Sequence, residues 1–325
     1  MHTHPWETLP YQFRERLQRV IPKELYATVL DSFCHDRPTT FRTNTIKIST
    51  KDLQLELEKE HIVTEQIPWY KDAFILSHQP KDILMNTQWY KNGFIYIQSL
   101  SSMIPALILH PQPEDIICDI AAAPGSKTTQ MAALMDNRGK IIANDKSHVR
   151  RYKLEANLKM QGITNTSITK LAGQTLWHHY PEYFDKTLVD VPCSMEGRIN
   201  CLDSRTFEQW SVKKIKSLVQ IQRFLLRSGI SATKPGGTIV YSTCTLAPEE
   251  NEGIINWILE KEKDAIKVEE INLQMEEILP GLTRWNDKAY IAPVNDTIRV
   301  RPSAVMEGFY VAKLKKTRST IPKFK

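Results

Sequence analysis

Asp119-Ile-Ala-Ala-Ala-Pro-Gly125-Ser-Lys127-Thr-Thr is the stretch on which the reading of this chain turns. Ile116–Ile120 is an apolar, β-branched run that predicts a strand, Ala121–Ser126 is a turn of small residues, and Lys127–Met135 predicts a helix. Strand, small-residue turn and helix is how a doubly wound sheet begins. The alternation continues outward, with predicted strands at Lys140–Asn144, Ser167–Leu171, Lys186–Asp190 and Thr238–Tyr241. Between them lie predicted helices at His148–Met160 and Lys213–Thr233, the second stopped by Pro235-Gly236-Gly237. The pattern predicts an α/β fold, a doubly wound and mostly parallel sheet with helices on both faces. Thr297–Arg301 and Gly308–Leu314 read as additional strands.

Upstream, residues 1–35 read as a helical segment. Phe13, Leu17 and Val20 form one stripe, Leu25, Val29 and Phe33 another, and Ile21-Pro22 breaks them. Residues 36–95 read as a small α+β unit: a strand over Thr39–Ile48, a helix capped near Ser49 or Thr50, a turn at Pro68–Asp72 and a strand over Ala73–Leu76. Arg42, Lys47, Trp69, Tyr70, Lys71 and Trp89 interleave cations with aromatics, a mixture that suits base stacking with phosphate contact and equally suits a packed core. Residues 96–314 form the large α/β unit and 315–325 a basic tail, expected to stay solvated.

The 325 residues are 41% hydrophobic, the composition of a globular protein. No apolar run approaches the ~20 residues that span a bilayer, and the N-terminus does not read as a secretory signal. Cys34, Cys118, Cys193, Cys201 and Cys244 are an odd number without a C-x-x-C pair, which speaks against a disulfide framework and against a metal site. Reduced thiols and a cytoplasmic location are the expectation. The net charge of +6 permits a polyanionic partner without requiring one.

Ligands of open parallel sheets bind beyond the carboxyl ends of the strands. The turn Ala121, Ala122, Ala123, Pro124, Gly125, Ser126 lies there, and it is neither G-x-G-x-x-G nor a phosphate loop. Asp145, after the next strand, either accepts ribose hydroxyls or caps the following helix. Loop and acid at this spacing point to S-adenosylmethionine. Two further segments, Asp190-Val-Pro-Cys193-Ser194 and Ser242-Thr-Cys244-Thr-Leu-Ala-Pro-Glu-Glu-Asn-Glu252, each place a cysteine just past a predicted strand. In a doubly wound order those strands are neighbours, so both thiols leave one edge. Carbon 5 of cytosine is too electron-poor to attack a methyl group, and a thiolate on carbon 6 makes it a nucleophile. Asp190 suits the exocyclic amine and ring nitrogen of such a base.

At these residues the chain resembles the Sun-type RNA (cytosine-5) methyltransferases, from about Arg42 to Leu314. Tyr96-Ile-Gln-x-x-Ser-Ser-Met103 and Gly308-Phe-Tyr-Val-Ala extend the likeness. The resemblance implies a Rossmann-like class I methyltransferase domain after an RNA-recognition-like unit. It implies Cys244 as nucleophile, Cys193 as the thiol that helps release methylated RNA, and Lys127 and Asp190 around base and cofactor. It also implies that Ala121 to Lys127, with Asp145, hold S-adenosylmethionine. Ala172 stands where the family has an acid that contacts adenine, Met195 where it has glycine after Cys193-Ser194, and Leu100 where an acid precedes the Ser-Ser pair. The substrate implied is RNA, ribosomal before transfer RNA, and a monomer is the default. The competing reading is a non-catalytic RNA-binding or ribosome-assembly protein on the same fold, against which both cysteines stand.

Overall fold

The computed structural model describes residues 4–321; Lys323 and Lys325 of the basic tail lie outside the described residues. Helices α1 (Tyr11–Val20) and α2 (Tyr26–Ser32) part at Ile21-Pro22, where proline has no N–H to continue a helix. Their apolar stripes pack on Ile199, Phe207, Leu246 and Trp285, so they are fastened to loops of the later sheet. Cys34, just past α2, is disulfide-bonded to Cys201, with Cα atoms 5.1 Å apart. This corrects the expectation of five reduced thiols. The partners are 167 residues apart, a distance at which spacing carries no signal, and the Cys201 N–H donates to Phe33 O at 2.8 Å to bring them together.

A four-stranded antiparallel sheet follows: β1 (Thr40–Thr43), β2 (Thr64–Gln66), β3 (Ala73–Leu76) and β4 (Ile95–Ile97), ordered β2-β3-β1-β4. Helix α3 (Thr50–Lys59), capped by Ser49 Oγ on the Asp52 N–H, buries Leu53 and Leu57 against Phe41 and Phe74. The strand expected over Thr39–Ile48 ends at Thr43, because Asn44 turns the chain. Its Oδ1 accepts the Ile46 N–H, and its Nδ2 donates to Gly93 O and Gln161 O. Short helices α4 (Lys81–Asn86) and α5 (Gln88–Lys91) lead back into β4.

The large unit opens with α6 (Leu100–Leu109), then β5 (Ile116–Asp119), α7 (Ser126–Leu134), β6 (Lys140–Asn144), α8 (His148–Gln161) and β7 (Thr166–Thr169). Next come β8 (Phe184–Asp190), α9 (Val212–Ala232), β9 (Thr233–Thr243), α10 (Glu252–Glu262), β10 (Ile266–Glu269) and β11 (Ile278–Pro280). A hairpin of β12 (Arg284–Trp285) and β13 (Lys288–Ala289) precedes β14 (Ile298–Val300) and β15 (Phe309–Lys316). The sheet order is β11-β14-β15-β9-β8-β5-β6-β7, with β10 also on β15. Strands β7, β6, β5, β8 and β9 pair in parallel, while β10, β11, β14 and β15 join antiparallel. The order reverses between β5 and β8, so the crevice of this sheet opens at their carboxyl ends.

Period-2 alternation sends the central strands to two cores. Val189 and Tyr241 face α9 and α10, while Leu188 and Val240 face α6 and α7. The final strand runs two residues beyond Leu314 and takes in Lys315 and Lys316. Lys316 is wholly buried, its Nζ donating to Ile230 O and Thr233 O and lying 2.8 Å from Glu182. That part of the supposed solvated tail is a structural anchor. Among the described residues, no helix is long and apolar enough to cross a membrane.

Candidate active site

Beyond β5 the turn Ala121–Gly125 opens α7. Gly125 has φ +105°, a conformation that demands glycine, whereas the Leu154 Cδ1 that a Cβ would approach at 2.8 Å is a side-chain end free to shift. Beneath it Asp119, pushed up to about 7 by burial, accepts from Thr128 Oγ1 at 2.7 Å and ties strand to helix. Ala121 and Asp145 line one cavity with Ile120, Gly173, Pro192 and Leu225. Ala123, Pro124, Ser126, Lys127 and Asp190 line the adjoining cleft, while Ala122 and Gly125 line neither.

Asp145 is almost wholly buried. Its Oδ1 accepts the Ser147 N–H at 2.9 Å, whereas Oδ2 has no hydrogen-bond partner and lies 3.5 Å from Arg150. The cap of α8 is Ser147, which accepts from the Arg150 N–H. Ser147 and not Asp145 therefore caps the helix, and Asp145 Oδ2 faces Arg150 without a hydrogen bond. Ala172 is exposed and does not line the cavity, but Gln174 brings an amide there.

The second cleft, about 340 Å³, is walled by Ser102, Lys127, Asp190, Arg198, Cys244 and Phe309 among others. Lys127 Nζ lies 2.8 Å from Asp190 Oδ2 and 2.9 Å from Ser102 Oγ, and Asp190 Oδ1 accepts from Ser242 Oγ at 2.8 Å. Asp190 and Ser242 are register partners on β8 and β9, so the sheet itself sets that contact. Just past them the two sulfurs meet, Cys193 Sγ at 3.2 Å from Cys244 Sγ. Cys193 is buried, and its bond to Cys244, followed by burial, pushes its thiol well up; Cys244 is half-buried and is the one that faces the cleft.

Behind the sulfurs lies a buried polar cluster that spacing did not foretell. Ser194 Oγ and Thr245 Oγ1 are 2.7 Å apart, and Glu250, pushed up to about 7 by burial, accepts from the Ser194 N–H, the Ser194 hydroxyl and Gln222 Nε2. Met195 takes φ +59°, the left-handed region that glycine enters freely, at a cost of roughly 1–2 kcal/mol. Gly197 and Gly308 approach backbone to backbone, since a Cβ on Gly197 would lie 1.8 Å from Gly308 O. That contact brings Phe309 to the cleft wall.

In the basic–aromatic mixture before residue 95, Lys71 is exposed and Lys47, Trp69 and Trp89 are half-buried, while two members are interior. Arg42 is fully buried, donating to Gln98 Oε1, Ser126 O and Thr129 Oγ1, and Tyr70 is buried too. Helix α8 presents the exposed cations Arg150, Lys153 and Lys159 and the exposed Tyr152. Arg150 lines both cavities. Ser102 was legible within the Ser-Ser pair, whereas no sequence signal marks Gln174 or Arg198.

A family model described as 16S rRNA methyltransferase RsmB/F matches residues 106–315, and one for the N-terminal domain of 16S rRNA methyltransferase RsmF matches residues 9–100. The ribosomal RNA small subunit methyltransferase F of Pectobacterium atrosepticum is 36% identical over 97% of this chain, and that of Vibrio parahaemolyticus 34% over 97%. This chain spans 64% and 65% of those relatives' lengths. Among solved structures, a methyltransferase homologue from Pyrococcus horikoshii is 32% identical, with a TM-score of 0.79 over 95% of this chain and 100% of its own. NSun6 from the same organism, solved with SFG, is 25% identical with a TM-score of 0.82 over 96% of this chain and 100% of its own. The chain, matched over most of its length, belongs to the RsmB/F family of 16S rRNA methyltransferases.

Proposed function

We propose that this protein methylates carbon 5 of a cytosine in small-subunit ribosomal RNA, with S-adenosylmethionine as donor and a covalent link through Cys244. The observation that carries this reading is the pair of sulfurs 3.2 Å apart at the ends of adjacent strands, with Cys244 on the cleft beside Lys127 and Asp190. The residues present fit the cofactor: apolar Ile120, Pro192 and Leu225 suit an adenine ring, and Asp145 Oδ2, ion-paired to Arg150 but without a hydrogen bond, suits a ribose diol. When bound, S-adenosylmethionine supplies an electrophilic methyl group. Asp145→Ala is expected to weaken its binding by roughly 1–3 kcal/mol, measured by calorimetry; unchanged affinity would remove Asp145 from the site.

The chain's own groups divide the work. Asp190 accepts from the exocyclic amine of the base, and the Lys127 ammonium offsets negative charge that builds on the ring as sulfur adds. The Cys244 thiolate forms a bond to carbon 6, which makes carbon 5 nucleophilic. After methylation the carbon-5 proton passes to Cys193, the carbon-6–sulfur bond breaks, its electron pair returns to Cys244, and the ring double bond re-forms. The Cys244 sulfur is the first cause that keeps Cys193 protonated. Burial and Glu250 still hold Cys193 protonated once Cys244 is bonded to carbon 6, so Cys193 passes its own proton to the departing Cys244 sulfur as it takes the carbon-5 proton.

Methyl transfer from labelled cofactor to unmodified small-subunit RNA, followed by bisulfite sequencing, tests the reading. One labelled cytosine is expected, and cofactor binding without any label in ribosomal RNA would overturn it. The cations on α8 suit the phosphates of that RNA. If all three engage, affinity should fall roughly 20-fold between 50 and 200 mM salt, as read by filter binding; salt-insensitive binding would exclude this electrostatic contribution.

A further inference from the structure

We propose that the Ser194–Thr245 bridge, clamped by Glu250, is the positioning device that keeps Cys193 in reach of the Cys244 adduct, so that it governs product release and not adduct formation. The inference rests on the covalent reading above.

The sheet cannot align the thiols alone. Register between β8 and β9 ends at Asp190 and Ser242, and the last backbone bond across the pair is the Val191 N–H to Ser242 O. Beyond it each cysteine rides a separate loop. The residue after one cysteine meets the residue after the other, Ser194 Oγ to Thr245 Oγ1 at 2.7 Å, with both hydroxyls buried.

Ser194 Oγ donates to Glu250, and Thr245 Oγ1 lies 2.7 Å from Ser194 Oγ and 3.2 Å from Glu196 Oε2, with one proton to share between them. Glu250 also takes the Ser194 N–H at 3.0 Å and Gln222 Nε2 at 2.7 Å, and Gln222 in turn donates to Pro192 O at 3.0 Å. The Cys193 loop is thus gripped on both sides of the thiol by groups that converge on one buried carboxylate.

The Cys244 loop has anchors of its own. Thr243 Oγ1 donates to Asn251 Oδ1 at 2.6 Å and Asn251 Nδ2 donates to Thr245 O at 3.0 Å, while the Gly197 N–H, on the Cys193 loop, donates to Cys244 O at 3.0 Å and ties the two loops together. Breaking the Ser194–Thr245 bond therefore loosens Cys193 more than Cys244. Met195 sharpens the asymmetry: directly after Ser194 the backbone occupies a region that a methionine does not choose, so this loop depends on its anchor.

The test uses the full chain carrying Ser194→Ala or Thr245→Val, with Thr245→Ser as the conservative variant. Val matches Thr in shape and removes only the hydroxyl, so Thr245→Val decides if Ser194→Ala fails to fold. With labelled RNA and cofactor in single-turnover mixtures, adduct on a denaturing gel gives formation and decay separately. Formation is expected to stay within threefold of the unaltered chain, decay to slow at least tenfold with adduct accumulating, and Thr245→Ser to restore ordinary decay. Equal slowing of both steps would mark a merely structural role and overturn the proposal, as would unchanged decay in Thr245→Val. If Cys193→Ala itself traps no adduct, the covalent reading fails; if it traps adduct and Thr245→Val does not, only the positioning claim fails.

Discussion

Cys244→Ala should lower methyl transfer by roughly 10³-fold or more, while S-adenosylmethionine still binds and no RNA becomes attached to the protein. The size of the effect follows from the chemistry. Without sulfur on carbon 6 the ring carbon is no nucleophile, and neither Lys127 nor Asp190 supplies that activation. Cofactor affinity should survive because Cys244 lines the cleft and not the cavity around Asp145. Labelled-cofactor assays on the purified variant check the first statement and calorimetry the second. A fully active variant would end the covalent hypothesis.

Cys193→Ala should do something different: it should trap. Adduct formation needs only Cys244, so the first half of the cycle proceeds and the second stalls for want of a proton acceptor 3.2 Å away. A slow-migrating protein–RNA band on a denaturing gel is expected in Cys193→Ala and absent from the Cys193→Ala/Cys244→Ala double variant. The reverse pattern, adduct in Cys244→Ala and none in Cys193→Ala, would exchange the two assignments. Burial and the bond to its neighbour keep Cys193 protonated at rest, which argues for the assignment as stated.

The parallel strands were legible because each central strand is buried on two faces and bounded by small residues, so apolar runs and turns suffice to find them. Lys140–Asn144 falls within those bounds residue for residue, and β8 and β9 begin earlier than read, since Thr233 pairs with Phe184 ahead of the apolar run. Helix α6 escaped because it is apolar nearly all round and carries Pro105 inside, which hides its period. The meeting of Cys193 with Cys244 could be inferred from strand adjacency alone. What sequence could not disclose is where long polar side chains go. Arg42 read equally as a phosphate contact or a core residue and Lys316 as a solvated cation, yet each satisfies several buried acceptors, and nothing in local pattern separates a phosphate contact from a structural one. The Ser194–Glu250 cluster was hidden likewise, since partners 56 residues apart meet only once two loops have folded over one sheet edge.

Arg42 carries one more consequence. Its guanidinium leaves β1, lies 5.0 Å over the Tyr96 ring, and ends on Ser126 and Thr129 at the start of α7, the helix that opens after the turn Ala121–Gly125. The chain boundary near residue 95 is therefore no hinge. A fragment beginning after it would leave the first turn of α7 without its donor, and a foreign small sheet grafted in its place would have to deliver an arginine to the same three acceptors. The two units share this buried contact, so exchanging the small sheet would disturb the first turn of α7.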